Sequence, residues 1–107
     1  MPSQTPDRAA LLDNVRRLRD APSPALVDAE RVLTDGYAYV MQTESERLRL
    51  RNRLEEHAGS LSRAPGDDEV VEITALAQGI ARADDEIEEL RSALGGLAAR
   101  VRRLRVA

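Results

Sequence analysis

From Ile73 to Leu104 the chain repeats an apolar residue at alternating steps of three and four: Ile73, Leu76, Ile80, Ala83, Ile87, Leu90, Leu94, Leu97, Val101 and Leu104. An unbroken succession of this kind is the a/d seam of a heptad pattern, which neither a strand nor a loop produces. It predicts one helix over residues 67–105, roughly 58 Å long at 1.5 Å per residue. Asp67 is read as its cap, Asp68 and Glu69 complement the positive end of the dipole, and Arg100, Arg102, Arg103 and Arg105 the negative end. So long an apolar stripe must pack on other helices, which sets the fold class as all-α.

Two breaks separate this segment from two others. One is Ala21-Pro22-Ser23-Pro24, and the other is Ser62-Arg63-Ala64-Pro65-Gly66-Asp67 with its Pro-Gly turn signal. The first segment opens with Thr5-Pro6-Asp7, a cap, a first-turn proline and an acidic residue. Leu11, Leu12, Val15 and Leu18 then share one face, predicting a short amphipathic helix over about residues 6–20. Such a helix is marginal alone in water, so its apolar face needs a surface to dock on. The middle segment predicts a helix over about residues 24–60. Its stripe of Leu26, Ala29, Leu33, Tyr37 and Val40 is interrupted by Glu44, Arg47 and Arg51, then resumes at Leu54, Ala58 and Leu61.

Two long helices joined by a short loop most simply form an antiparallel hairpin. The expected organisation is an N-terminal amphipathic helix with a Pro-rich hinge over residues 1–22, and an antiparallel coiled-coil hairpin over 23–107 that turns near 62–67. A turn centred near residue 64 places Leu33 near Gly95 and Gly96, Val40 near Glu88, and Arg47 near Ala81. A hairpin alone leaves its seam half-wet. Either the first helix packs back to make three helices, or the chain self-associates. Small residues beside the seam (Ala77, Gly79, Ala93 and Ala98) broaden the contact face and favour a dimeric helix bundle. Isoleucine at a with leucine at d also leaves a parallel pairing of third helices open.

Composition narrows the function. Of 107 residues only 2% are aromatic, Tyr37 and Tyr39, so the apolar material is almost entirely Leu, Val, Ile and Ala, which suits helix-on-helix packing. The lack of cysteine removes disulfides, thiolate metal sites and cysteine nucleophiles. The single His57 removes multi-histidine metal sites and argues against a Ser-His-Asp triad. All 16 basic residues are arginine, yet the net charge is −3, against non-specific nucleic-acid binding as the main role. No apolar run approaches the roughly 20 residues of a membrane span. Met1-Pro2-Ser3-Gln4-Thr5-Pro6 lacks the features of a signal peptide, so a cytoplasmic location is expected.

Several polar groups are candidate sites. Glu44, Arg47 and Arg51 continue the apolar stripe of the middle helix. They form a polar layer fixing register, or a site for an anionic ligand or acidic partner, or else the helix rotates so that Met41, Leu48 and Leu50 face inward. Arg47, Arg49, Arg51 and Arg53 split between faces, so they read as solvated. The acidic run Asp84, Asp85, Glu86, Glu88 and Glu89 lies on a helix that offers no cleft for acid–base chemistry. A carboxylate metal site is not expected, because His57 has no glutamate three residues before it. Gly95 and Gly96 fall off the seam, where they mark either tolerated surface or the close approach of another helix.

The acidic tip carries Asp67, Asp68 and Glu69. A coiled-coil finger with such a tip resembles the Gre and DksA type of transcription factor, which inserts a hairpin into RNA polymerase. The resemblance covers the architecture and these three residues; the globular part of those factors has no counterpart in this sequence. Glu56, Ser60 and Arg63 coincide with the first spacings of a cyclic-dinucleotide motif of coiled-coil anti-sigma factors, but Asp67 and Val71 do not continue it.

The sequence is thus read as a non-enzymatic coiled-coil interaction module, a small transcriptional regulator or scaffold, with no cofactor and no metal. Its expected partners are a second copy of itself and another protein, and neither nucleic acid nor membrane. The expected seam is Ile73, Leu76, Ile80, Ile87, Leu90, Leu94, Leu97, Val101 and Leu104, with Leu11, Leu12, Val15 and Leu18 as a second apolar face. The alternative is an anionic-ligand or nucleic-acid binder using Arg100, Arg102, Arg103 and Arg105.

Overall fold

The computed structural model describes residues 8–60 and 66–106. These form three α-helices with no strand among the described residues: α1 Arg8–Asp20, α2 Leu26–Ser60 and α3 Asp67–Val106. Thr5, Pro6 and Asp7 at the front of α1, and Leu61, Ser62, Arg63, Ala64 and Pro65 of the expected turn, lie outside the described residues. Residues 21–25, where the Pro-rich hinge was expected, form a non-helical link between α1 and α2.

The cap of α3 lies one residue before the expected Asp67, and that of α2 two residues after Ser23 of the Ser23-Pro24 pair. The Val70 N–H donates a 3.2 Å hydrogen bond to the Gly66 carbonyl, so Gly66 holds the cap position of α3 and Asp67 enters the first turn with Asp68 and Glu69. The Ala29 N–H donates a 3.0 Å bond to the Ala25 carbonyl, which puts the cap of α2 just past Pro24. Arg103 and Arg105 occupy the last turn of α3, where cations complement the dipole.

The chain divides into two compact units, Met1–Val40 with Glu88–Ala107, and Met41–Ile87. In the first unit three helical segments share a core. Leu11, Leu12 and Val15 of α1 are buried, as are Ala29, Gly36 and Val40 of α2 and Leu90, Ala93, Leu94, Leu97 and Val101 of α3. Each buried Leu or Val contributes about 1.5–3 kcal/mol against exposure, which offsets the marginal helicity of a segment of only 13 residues. The short amphipathic helix therefore docks on its own chain. Within this unit α2 and α3 run antiparallel, since Glu30 pairs with Arg105 and Gly36 packs on Leu94.

The second unit holds only two helical segments. They too run antiparallel: Arg47 meets Asp84, Leu50 approaches Gly79, and Arg53 meets Glu72. The register is within a residue of the expected one where Leu50 packs on Gly79, and the long Arg47 side chain reaches three residues past Ala81 to Asp84. Leu76, Ala83 and Ile87 are buried here, while Leu50, Leu54, Ile73 and Ile80 remain half-buried. Two helices alone cover less apolar surface than three, and the thinner core reflects this.

Candidate interaction surfaces

The apolar seam of α3 faces inward along most of its length. Leu76, Ala83, Ile87, Leu90, Leu94, Leu97 and Val101 are buried, Ile73 and Ile80 are half-buried, and Leu104 is exposed. Buried side chains of this row already have partners inside the chain. On α1, Leu11, Leu12 and Val15 are buried and Leu18 is half-buried, so that face is occupied as well.

Both ends of α1 are tied to α3 within the first unit. Arg8 pairs with Glu89. At the other end the Arg100 guanidinium donates to the carbonyl of Arg19 and, at 3.2 Å, to that of Pro22. The last carbonyls of a helix have no partner inside it, and Arg100 supplies one. The Arg19 side chain lies along α3 so closely that a Cβ at Gly96 would stand 3.1 Å from Arg19 Cδ. Gly96 is thus a point of close helix approach, whereas a Cβ at Gly95 would meet nothing within 4 Å. Asp20 sits beside Arg19, whose side-chain hydrogen bond holds the carboxyl below the usual range; partial desolvation opposes this, and the charges of Arg19 and Arg100 reinforce it.

The polar layer of α2 lies in the second unit. Arg47 Nη1 stands 2.8 Å from Asp84 Oδ1, and the two side chains are 25% and 44% exposed. Arg51 reaches the same oxygen at 3.8 Å from a more exposed position. Glu44 is half-buried. Met41 and Leu48 stay exposed while Leu50 is half-buried against Gly79, so of the rotated arrangement only Leu50 faces inward, and Arg47 takes the place across from Asp84. Near the end of this unit Glu72 Oε1 accepts from Arg53 at 3.0 Å and lies 3.1 Å from His57 Nε2. Asp67 and Asp68 of the acidic tip are exposed and Glu69 is half-buried.

The arginine-rich end of α3 is divided in its contacts. Arg100 holds α1 and Arg105 pairs with Glu30. Arg102 and Arg103 line an open depression with Ala99 and Val106 and make no ion pair among the described residues. Among the described residues no group of three or more histidines and carboxylates is placed to hold a metal ion. No helix among them is long and apolar enough to cross a membrane.

Two features escaped the sequence reading. Gly36 is buried in α2, whereas Tyr37, taken as part of the stripe, is exposed. Arg100 serves the end of α1, although only its place near the helix terminus was legible. Comparison with protein-family models, with curated proteins and with solved structures finds no match.

Proposed function

We propose that this chain is a non-enzymatic interaction module, an antiparallel coiled-coil hairpin with a docked N-terminal helix that assembles as a dimeric bundle and binds a protein partner through its outward helix faces. A small cytoplasmic regulator or scaffold fits this description. The supporting observation is the division of its apolar residues. The heptad row of α3 is largely buried within the chain, while Val27, Met41, Leu48, Val71 and Val106 project from helix surfaces. Large apolar side chains left outside a filled core are the anchors that helix-in-groove and bundle-completing contacts use.

The reading is tested by purifying the native protein from its source cell and measuring the mass of the eluted species by light scattering. A stoichiometric second protein or a homo-oligomer is expected. A monomer with nothing bound would count against it.

A second reading draws on the depression beside Arg102 and Arg103. Two guanidinium groups next to Ala99 and Val106 suit an anion with an apolar body. Such binding would weaken steeply with salt, unlike contacts made by apolar helix faces.

A further inference from the structure

We infer that one row of α3, Glu89, Ala93, Gly96 and Arg100, is a docking site for a single amphipathic helix, that α1 holds it as a releasable strap, and that a helix of the same pattern from a partner protein takes its place. The inference rests on the partner binding proposed above and gives that partner a covered site besides the outward faces.

The four residues follow one another at steps of four, three and four, so they line one side of α3. On α1, Arg8, Leu12, Val15 and Arg19 have the same steps. The two rows lie side by side and run parallel. Arg8 pairs with Glu89, and the Arg19 carbonyl accepts from Arg100, both across 81 positions of sequence. Between these ties lie Leu12 and Val15 on α1, and Ala93 and Gly96 on α3. Ala93 stands beside the heptad seam rather than in it, yet it is only 5% exposed. Leu12 and Val15, at 6% and 0%, are buried with it.

The row recognises a helix in three ways. Ala93 and Gly96 are small enough for close approach, and the Arg19 side chain lies along Gly96. Glu89 accepts from a basic residue in the first turn of the docked helix. Arg100 donates to the carbonyls at its other end, which have no partner inside the helix. Arg100 thus reads the end of a helix and no particular side chain. The partner is defined by the same chemistry. It presents a helix of about the 13 residues of α1, with a basic residue in the first turn, leucine four positions on and valine seven positions on.

The strap is built for release. A helix of 13 residues does not persist alone in water. The side chains of Arg8 and Glu89 are 40% and 43% exposed, so their pair holds weakly. Residues 21–25, which join α1 to α2, are non-helical and include Pro22 and Pro24. Release therefore bares the row without breaking either long helix. The tether gives α1 an advantage in local concentration, so a helix from outside binds the intact chain more weakly than one whose strap is disabled.

The test uses the full chain, the full chain carrying Leu12→Glu, and a fluorescent peptide of residues 8–20 with blocked ends. Leu12→Glu disables the strap and leaves α3 unaltered. Amide hydrogen exchange in the variant is expected to rise about tenfold or more across 8–20 and to stay slow across 90–101. By fluorescence anisotropy the variant is expected to bind the peptide with a dissociation constant of about 100 μM or below, and the wild-type chain about tenfold more weakly or worse. A peptide that itself carries Leu12→Glu is expected not to bind. Fast exchange across 90–101 in the variant would make α1 part of the core and overturn the inference. So would a protected variant that ignores the peptide, or equal binding by variant and wild type. A wild-type dimer that Leu12→Glu turns monomeric would make the occupant α1 of a second copy and overturn the assignment to a partner protein. None of these results bears on the outward faces, which the purification from the source cell tests separately.

Discussion

Gly36 on α2 and Leu94 on α3 pack so closely that a methyl group on the glycine would overlap the leucine side chain. Leu94 is fully buried and has little room to turn away. Alanine in place of a helical glycine ordinarily gains about 1 kcal/mol. Overpacking a filled core loses about 1–3 kcal/mol. Gly36→Ala is therefore expected to lower stability in urea denaturation by about 1 kcal/mol net. Gly95→Ala, where the added carbon meets nothing, is expected to raise it by about 0.5–1 kcal/mol.

Arg100 is expected to hold the end of α1 in place. Its guanidinium donates to two carbonyls at that end, and hydrogen bonds to charged groups contribute about 1.5–3 kcal/mol net of exchange with water, less where the pair is exposed. Arg100→Ala should raise amide hydrogen exchange across 8–20 and leave exchange in the Met41–Ile87 unit unchanged. Equal acceleration in both units would show that Arg100 supports the whole fold instead.

The ion pair between Arg47 and Asp84 is expected to contribute little to stability and more to register. Both side chains keep solvent contact, and pairs of this kind couple by about 0.2–1 kcal/mol. A double-mutant cycle with Arg47→Ala and Asp84→Ala should give a coupling in that range that shrinks with added salt.

Acid should loosen the contact between Arg19 and Asp20. The Asp20 carboxyl titrates below its usual range in the folded chain, so the folded state favours its charged form. Its contribution is complete above the ordinary carboxylate pKa and is lost as pH falls through the lowered folded value. Asp20→Asn should lower the melting temperature near neutral pH by that small contribution and remove that part of the acid dependence, so that the variant and the wild type converge in acid. An acid limb identical in the variant and the wild type would rule the contact out as its source.

How much of this was legible in the sequence depended on what kind of signal each part carries. The heptad row was plain because ten apolar side chains repeat at helical spacing; seven of them are buried, Ile73 and Ile80 are half-buried, and only Leu104 of the ten is exposed. The helix bounds were legible from proline, glycine and acidic residues at the breaks. Gly36 was not, because a hydrophobicity pattern registers the large neighbour Tyr37 and is blind to a glycine that lets two helices approach. The partner of Arg47 was legible only to within a turn, because register follows from a link that the periodicity does not fix. Arg100 could be placed near a dipole end, but its reach to the carbonyls of α1 depends on how α1 docks, which no local spacing encodes.

We propose that this chain works by joining other helices rather than alone. The most direct measurement is native mass spectrometry of the protein as it leaves its own cell. A complex containing at least two chains is expected, either copies of this 11.8 kDa chain or this chain with an equimolar second protein. A single 11.8 kDa species, stable at all accessible concentrations and carrying nothing, would contradict it.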